Sequence, residues 1–97
     1  MHVGVCKLTV RIPENQTLKG KRRVIKSLSS RIRNKFNVSV AEVEDNQAWQ
    51  IATLGITCVS NSARHAEETV QNVVAFVESS REDLEIVAQE QETLSGF

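Results

Sequence analysis

The 97-residue sequence predicts an α+β fold with the element order β-α-β-β-α-β. Three observations carry that reading. Residues 3–12, 49–60 and 84–89 alternate apolar and polar with a period of two, as half-buried strands do. Two longer segments, 18–36 and 63–77, repeat apolar residues at helical spacing. The turn-forming runs Pro13–Gln16, Asp45–Gln47, Asn61–Ser62 and Ser79–Glu82 fall between these segments and not within them.

In the first strand Cys6, Leu8, Val10 and Ile12 share one face, and Lys7, Thr9 and Arg11 share the other. Pro13 ends it, and Thr17 is placed to cap a helix. Leu18, Ile25, Leu28, Ile32 and Phe36 form that helix's apolar stripe over about five turns, with Asn37 as the stop. Val38, Val40 and Val43 read as a second strand. Trp49–Ser60 reads as the third, with Ala52, Leu54, Ile56 and Cys58 on one face. Gly55 marks a bulge or a close approach in it. The short polar connection makes these two strands a hairpin. Asn61 or Ser62 caps a second helix, whose stripe is Ala63, Ala66, Val70, Val73, Val74 and Val77. Valine is a weak helix former, so this helix is expected to depend on packing. Leu84, Ile86 and Ala88 alternate with Glu85, Val87 and Gln89 in a last strand. Residues 1–90 form one domain, and residues 91–97 read as a loose tail.

The order is that of the ferredoxin-like split βαβ arrangement. Right-handed crossovers put both helices on one face of a four-stranded antiparallel sheet. The other face is open. It is expected to carry Val3, Val5, Trp49, Ile51 and Val59 beside Lys7, Thr9 and Arg11, an apolar content that suits self-association or a partner.

Length and composition limit the function. One domain of this size holds one modest core and no separate cofactor domain. No apolar run approaches the ~18 residues of a spanning helix, and the N-terminus lacks the layout of a signal peptide. The expected location is the cytoplasm, with no membrane partner. Cys6 and Cys58 are too few for a disulfide scaffold and read as buried reduced thiols.

The net charge is zero, but the charges are segregated. Residues 1–35 carry a net +9 and residues 36–97 a net −9. Within the first helix Lys19, Arg22, Arg23, Lys26 and Arg33 fall in one arc of roughly 100° beside the apolar stripe. Lys21 lies on the apolar side, where only its tip can reach water. Arg31 and Lys35 lie on the far flank. Like charges at this spacing repel, and Lys19, Lys21 and Arg22 sit at the positive end of the helix dipole. An anionic partner reverses both penalties. One phosphate at the helix N-terminus and a phosphate backbone along the arc are the expected ligands. Acids elsewhere, with Glu42, Glu44, Glu67 and Glu68 as candidates, would neutralise the helix if the fold brought them to it.

Other chemistry finds little support. Gly20-Lys21 opens a helix without the glycine spacing or the Ser/Thr of a P-loop. His2 and His65 are far apart, and Glu42, Glu44 and Asp45 read as a strand end, so no metal site or cofactor is expected. No nucleophile and base can be paired, and the chain reads as no enzyme. The order is also that of RNA-recognition motifs, yet the first strand has no aromatic residue and the third only Trp49.

Several segments resemble the YlxP-like family of small bacterial proteins of unknown function. They are Val3-Gly4-Val5-Cys6, the basic run Thr17 to Leu28, Phe36 to Val43, Trp49-Gln50, Leu54-Gly55 and Val59-Ser60-Asn61. The resemblance covers about residues 1–90 and departs at Gly20, where family members often carry a charged residue. It implies a ferredoxin-like fold and gene neighbourhoods shared with translation initiation and ribosome-maturation factors. It implies no catalytic residues. The expected function is therefore an RNA- or ribosome-associated binding module. It would use Lys19, Lys21, Arg22, Arg23, Lys26 and Arg33, with Lys7 and Arg11 as an extension. The alternative is a homodimer or regulatory module using Val3, Val5, Trp49, Ile51 and Val59.

Overall fold

The chain is described by a computed structural model over residues 1–44, 48–80 and 83–97. The turn expected at Asp45–Gln47, and Arg81 and Glu82 of the break after the second helix, lie outside the described residues. The elements are β1 (His2–Arg11), α1 (Leu18–Lys35), β2 (Ser39–Glu42), β3 (Ile51–Ser60), α2 (Ala63–Ser80) and β4 (Glu85–Ser95). The sheet order is β2-β3-β1-β4, and every neighbouring pair is antiparallel. This is the ferredoxin-like arrangement that the element order implies.

β1 is a central strand because alternation continues through its whole length. It pairs with β3 from His2↔Ser60 to Arg11↔Ile51. Its inward residues Cys6, Leu8 and Val10 meet Ile56, Leu54 and Ala52 in register, and all are buried under the helices. From α1 come Ile25, Leu28 and Ile32; from α2 come Ala66, Val70, Val73, Val74 and Val77. The valines of α2 each bury fully or nearly so, at about 1.5–3 kcal/mol of apolar transfer apiece, which offsets their weak helical preference. Gly4 lets α2 approach β1: a Cβ there would lie 2.8 Å from the Ala66 carbonyl oxygen and 2.9 Å from a Val70 methyl. At Gly55 the reason for glycine is also a close approach, since the Val43 side chain crosses over it.

The helix starts follow from their caps. The Thr17 hydroxyl accepts the Gly20 N–H at 2.9 Å, and its carbonyl accepts the Lys21 N–H at 3.1 Å. Ser62 caps α2 by accepting the His65 N–H at 3.2 Å. At the end of α1 the Phe36 N–H still donates to Ile32.

Three boundaries differ from the sequence reading. β3 begins at Ile51, so Trp49 sits in the turn before the strand. β2 has only the four residues Ser39–Glu42. Residues 91–95, read as tail, continue β4 and pair with β1 as far as His2↔Ser95. The Met1 ammonium and the Phe97 carbonyl close that end at 2.6 Å. The register shifts between Thr9↔Ala88 and Val10↔Ile86, leaving Val87 extra. That bulge reverses the parity expected along β4. Ala88, Glu90, Glu92 and Leu94 share the open face, and Gln89, Gln91 and Thr93 share the helix side. An edge strand tolerates such polar residues because water reaches it, and bulges and charges there discourage stray pairing.

Candidate nucleic-acid interface

α1 packs against β2 and β3, and α2 against β1, β3 and β4. The two flanks of α1 therefore face different surroundings. One flank meets α2. There Arg31 lies 5.6 Å from the Phe76 ring centroid, and its guanidinium donates to the Ser80 carbonyl at 3.5 Å. Lys35 lies 4.9 Å from Phe76 and 5.9 Å from Phe36, and those two rings pack edge to face at 5.7 Å. The other flank borders the β2 edge, where Arg33 donates to the Val40 carbonyl at 3.5 Å.

On this second flank the structure brings Lys19, Arg22, Arg23, Lys26 and Arg33 together as exposed side chains. Among the described residues Lys19, Arg22, Arg23 and Lys26 make no hydrogen bond or ion pair. Of the four candidate acids, Glu44, Glu67 and Glu68 are engaged elsewhere, whereas Glu42 shares the helix side of β2 with Val40 and makes no ion pair among the described residues. Glu44 pairs with Lys7, Glu68 with Arg64 at 2.9 Å, and Glu67 accepts from Gln71. The flank is a solvent-facing row of cations that repel one another, and Lys19, Arg22, Arg23 and Lys26 have no ion pair among the described residues. Its N-terminal end is closed by the chain itself. Besides the Thr17 cap, the Asn15 side chain lies over Gly20 and donates to the Thr17 carbonyl at 2.7 Å. Nothing in that geometry marks the phosphate seat expected there.

Lys21 does not belong to the row. It is 4 % exposed, and its ammonium donates to the carbonyls of Ala48 at 2.9 Å and Ile51 at 3.1 Å. Its place on the apolar side of the helix aims it under the sheet end, so it ties the β2–β3 connection to α1 and offers no charge to a ligand.

Lys7 and Arg11 do not extend the row either. Their parity in β1 puts them on the open face, away from both helices. Lys7 pairs with Glu44 at 2.5 Å and Arg11 with Glu85 at 3.5 Å. The Lys7 hydrogen bond, and then its charge, hold the Glu44 carboxyl below its ordinary value; the same bond raises Lys7. Glu44 also accepts from Thr53 at 3.3 Å, and Thr53 lies 3.4 Å from the Thr9 hydroxyl.

The open face holds four of the five apolar residues assigned to it. Val3, Val5 and Ile51 are half-buried there, and Val59 is exposed. Trp49 is off the sheet. Sequence reasoning missed Leu94, which is opposite Val3, and Glu90 and Glu92. Their alternation from Ala88 onward was the available signal, hidden by the bulge. Cys6 and Cys58 are buried free thiols, and burial raises the Cys6 thiol. Among the described residues no three His, Cys, Asp or Glu side chains converge as metal ligands, and no helix is long and apolar enough to cross a membrane. Asp45, part of the acidic run at the end of β2, lies outside the described residues.

Fold and site together define a class: a ferredoxin-like α+β domain whose first helix presents an exposed cationic flank. Within that class the chain belongs to a family described as proteins of unknown function (DUF503), which matches residues 3–91. It is 38 % identical over 77 residues to a Bacillus subtilis (strain 168) protein described as uncharacterized protein YlxP, a match covering 79 % of this chain and 84 % of the relative.

Proposed function

We propose that the protein is a non-catalytic RNA- or ribosome-associated binding module, acting in translation or ribosome maturation, whose α1 flank contacts the phosphate backbone. The observation that carries this reading is the row Lys19, Arg22, Arg23 and Lys26, exposed and without partners among the described residues. Arg33 adds a fifth cation. A phosphate backbone supplies evenly spaced anions and relieves the repulsion that the helix otherwise bears. The gene neighbourhoods implied by the family resemblance support the same reading.

Filter binding of ribosomal RNA tests it. If all five cations meet phosphates, the logarithm of affinity falls against the logarithm of salt with a slope of about −3.5 to −4.5. Absence of binding at low salt refutes it.

A second reading is favoured by one observation, the apolar row Val59, Val3 and Leu94 across three strands of the open face. There the module self-associates through the sheet. Light scattering at high concentration checks this: Val59→Asp should split the dimer, and a monomeric wild type removes the reading.

A further inference from the structure

We infer that Trp49 is a stacking platform for an unpaired base of the RNA whose phosphates the α1 flank holds, the indole and the cations being joined by the loop anchors at the start of α1. This rests on the RNA reading above and goes beyond it, because phosphate contacts position a nucleic acid without sensing its bases.

Trp49 is 56 % exposed. Its indole N–H has no partner among the described residues. The backbone beneath it is anchored at each neighbouring position. Lys21 donates to the carbonyls of Ala48 and Ile51, and Asn15 donates to the carbonyl of Trp49 itself. The Gln50 amide donates to the carbonyls of Pro13 at 2.9 Å and Asn15 at 3.2 Å. The Gln50 carbonyl accepts the Ile12 N–H at 2.7 Å. The chain thus fixes the backbone of this turn while leaving its one large side chain in water.

The anchors also set the location. Lys21 is the residue before Arg22, and Asn15 lies two residues before the Thr17 cap. The same turn of helix that holds the indole's loop therefore carries Lys19, Arg22 and Arg23. A cationic track and an exposed aromatic ring carried on segments tied to each other form the combination that single-strand binders use: the track holds the backbone, and the ring takes a base on its π-face. A ring on a fixed backbone loses less freedom on binding than one on a mobile loop. Base stacking also covers apolar indole surface that nothing in the described chain covers.

The experiment uses the only tryptophan in a chain with no tyrosine, so intrinsic fluorescence reports this position alone. The full-length protein is titrated at low salt with a single-stranded oligoadenylate of about ten nucleotides and with an abasic strand of equal length and charge. The expected result is quenching by oligoadenylate alone and affinity about tenfold higher for it than for the abasic strand. Trp49→Leu, followed by anisotropy of labelled RNA, should lower the oligoadenylate affinity to the abasic level and leave abasic binding unchanged. Equal affinities for the two strands in the wild type, or an unchanged oligoadenylate affinity in Trp49→Leu, overturn the inference while the phosphate reading stands. No binding of either strand overturns both.

Discussion

Lys21→Met separates the cation that builds the fold from the cations that face solvent. Methionine keeps an unbranched apolar stem in the buried channel and removes the ammonium. At least two acceptors, the carbonyls of Ala48 and Ile51, then lose a charged donor. Hydrogen bonds to charged groups contribute about 1.5–3 kcal/mol each, and an unsatisfied buried acceptor costs about 1–3 kcal/mol. Ala48 is exposed, so water can replace the ammonium at its carbonyl; Ile51 is half-buried and recovers less. The net loss is about 2–3 kcal/mol, a large share of what a small domain has. For a chain of this size it lowers Tm by about 10–20 °C. Urea unfolding followed by far-ultraviolet circular dichroism measures it, with Arg22→Met as the comparison. Arg22 is exposed and has no partner among the described residues, so its loss should stay within about 0.5 kcal/mol. Below its melting range Lys21→Met should bind RNA with wild-type salt dependence, whereas Arg22→Met should not. A Lys21→Met protein as stable as wild type, or one that flattens the salt slope as Arg22→Met does, would rule out this division of roles.

Three further outcomes follow from the same geometry. Deleting residues 91–97 removes five residues of the β1–β4 ladder; at about 0.5–1.5 kcal/mol net per hydrogen bond the loss is about 3 kcal/mol, read as a lower urea midpoint, whereas a loose tail would leave it unchanged. Gly4→Val drives a side chain into the Ala66 carbonyl and Val70, and should cost about 1–3 kcal/mol or more by calorimetry. Glu44 is held below its ordinary value by Lys7. A depressed acid stabilises the fold above its unfolded-state value, and the contribution is lost as pH falls through the folded-state value. Raising pH from about 3 to about 6 should therefore stabilise wild type more than Glu44→Gln in paired urea titrations.

Much of the fold was legible because its core obeys simple periods. Cys6, Leu8, Val10 and Ile12 alternate, Ile25, Leu28 and Ile32 recur by helical turns, and all are buried. β4 was legible only in its first half. Val87 shifts the register, and beyond it the helix-side positions are Gln89, Gln91 and Thr93, so neither parity nor hydropathy marks a strand. The cationic arc of α1 was readable from helical geometry alone, since it depends on residues close in sequence. Strand parity and helix geometry likewise placed Lys7 and Arg11 on the open face and Lys21 on the apolar side, but their partners were not readable, because each lies across strands or loops. Glu44 lies 37 residues from Lys7, and Ala48 lies 27 from Lys21. Such contacts appear only once the register is known.

The proposed role of the α1 flank is to hold RNA by its phosphates. Co-sedimentation with ribosomal subunits, with the RNA in the pellet identified, tests it most directly. Wild type and an Arg22→Glu, Arg23→Glu, Lys26→Glu variant are compared at two salt concentrations, their folding checked by circular dichroism. Wild type should pellet with ribosomal RNA at low salt and be released at high salt, while the folded variant should stay in the supernatant throughout. Equal pelleting of the two proteins, or pelleting indifferent to salt, would contradict it.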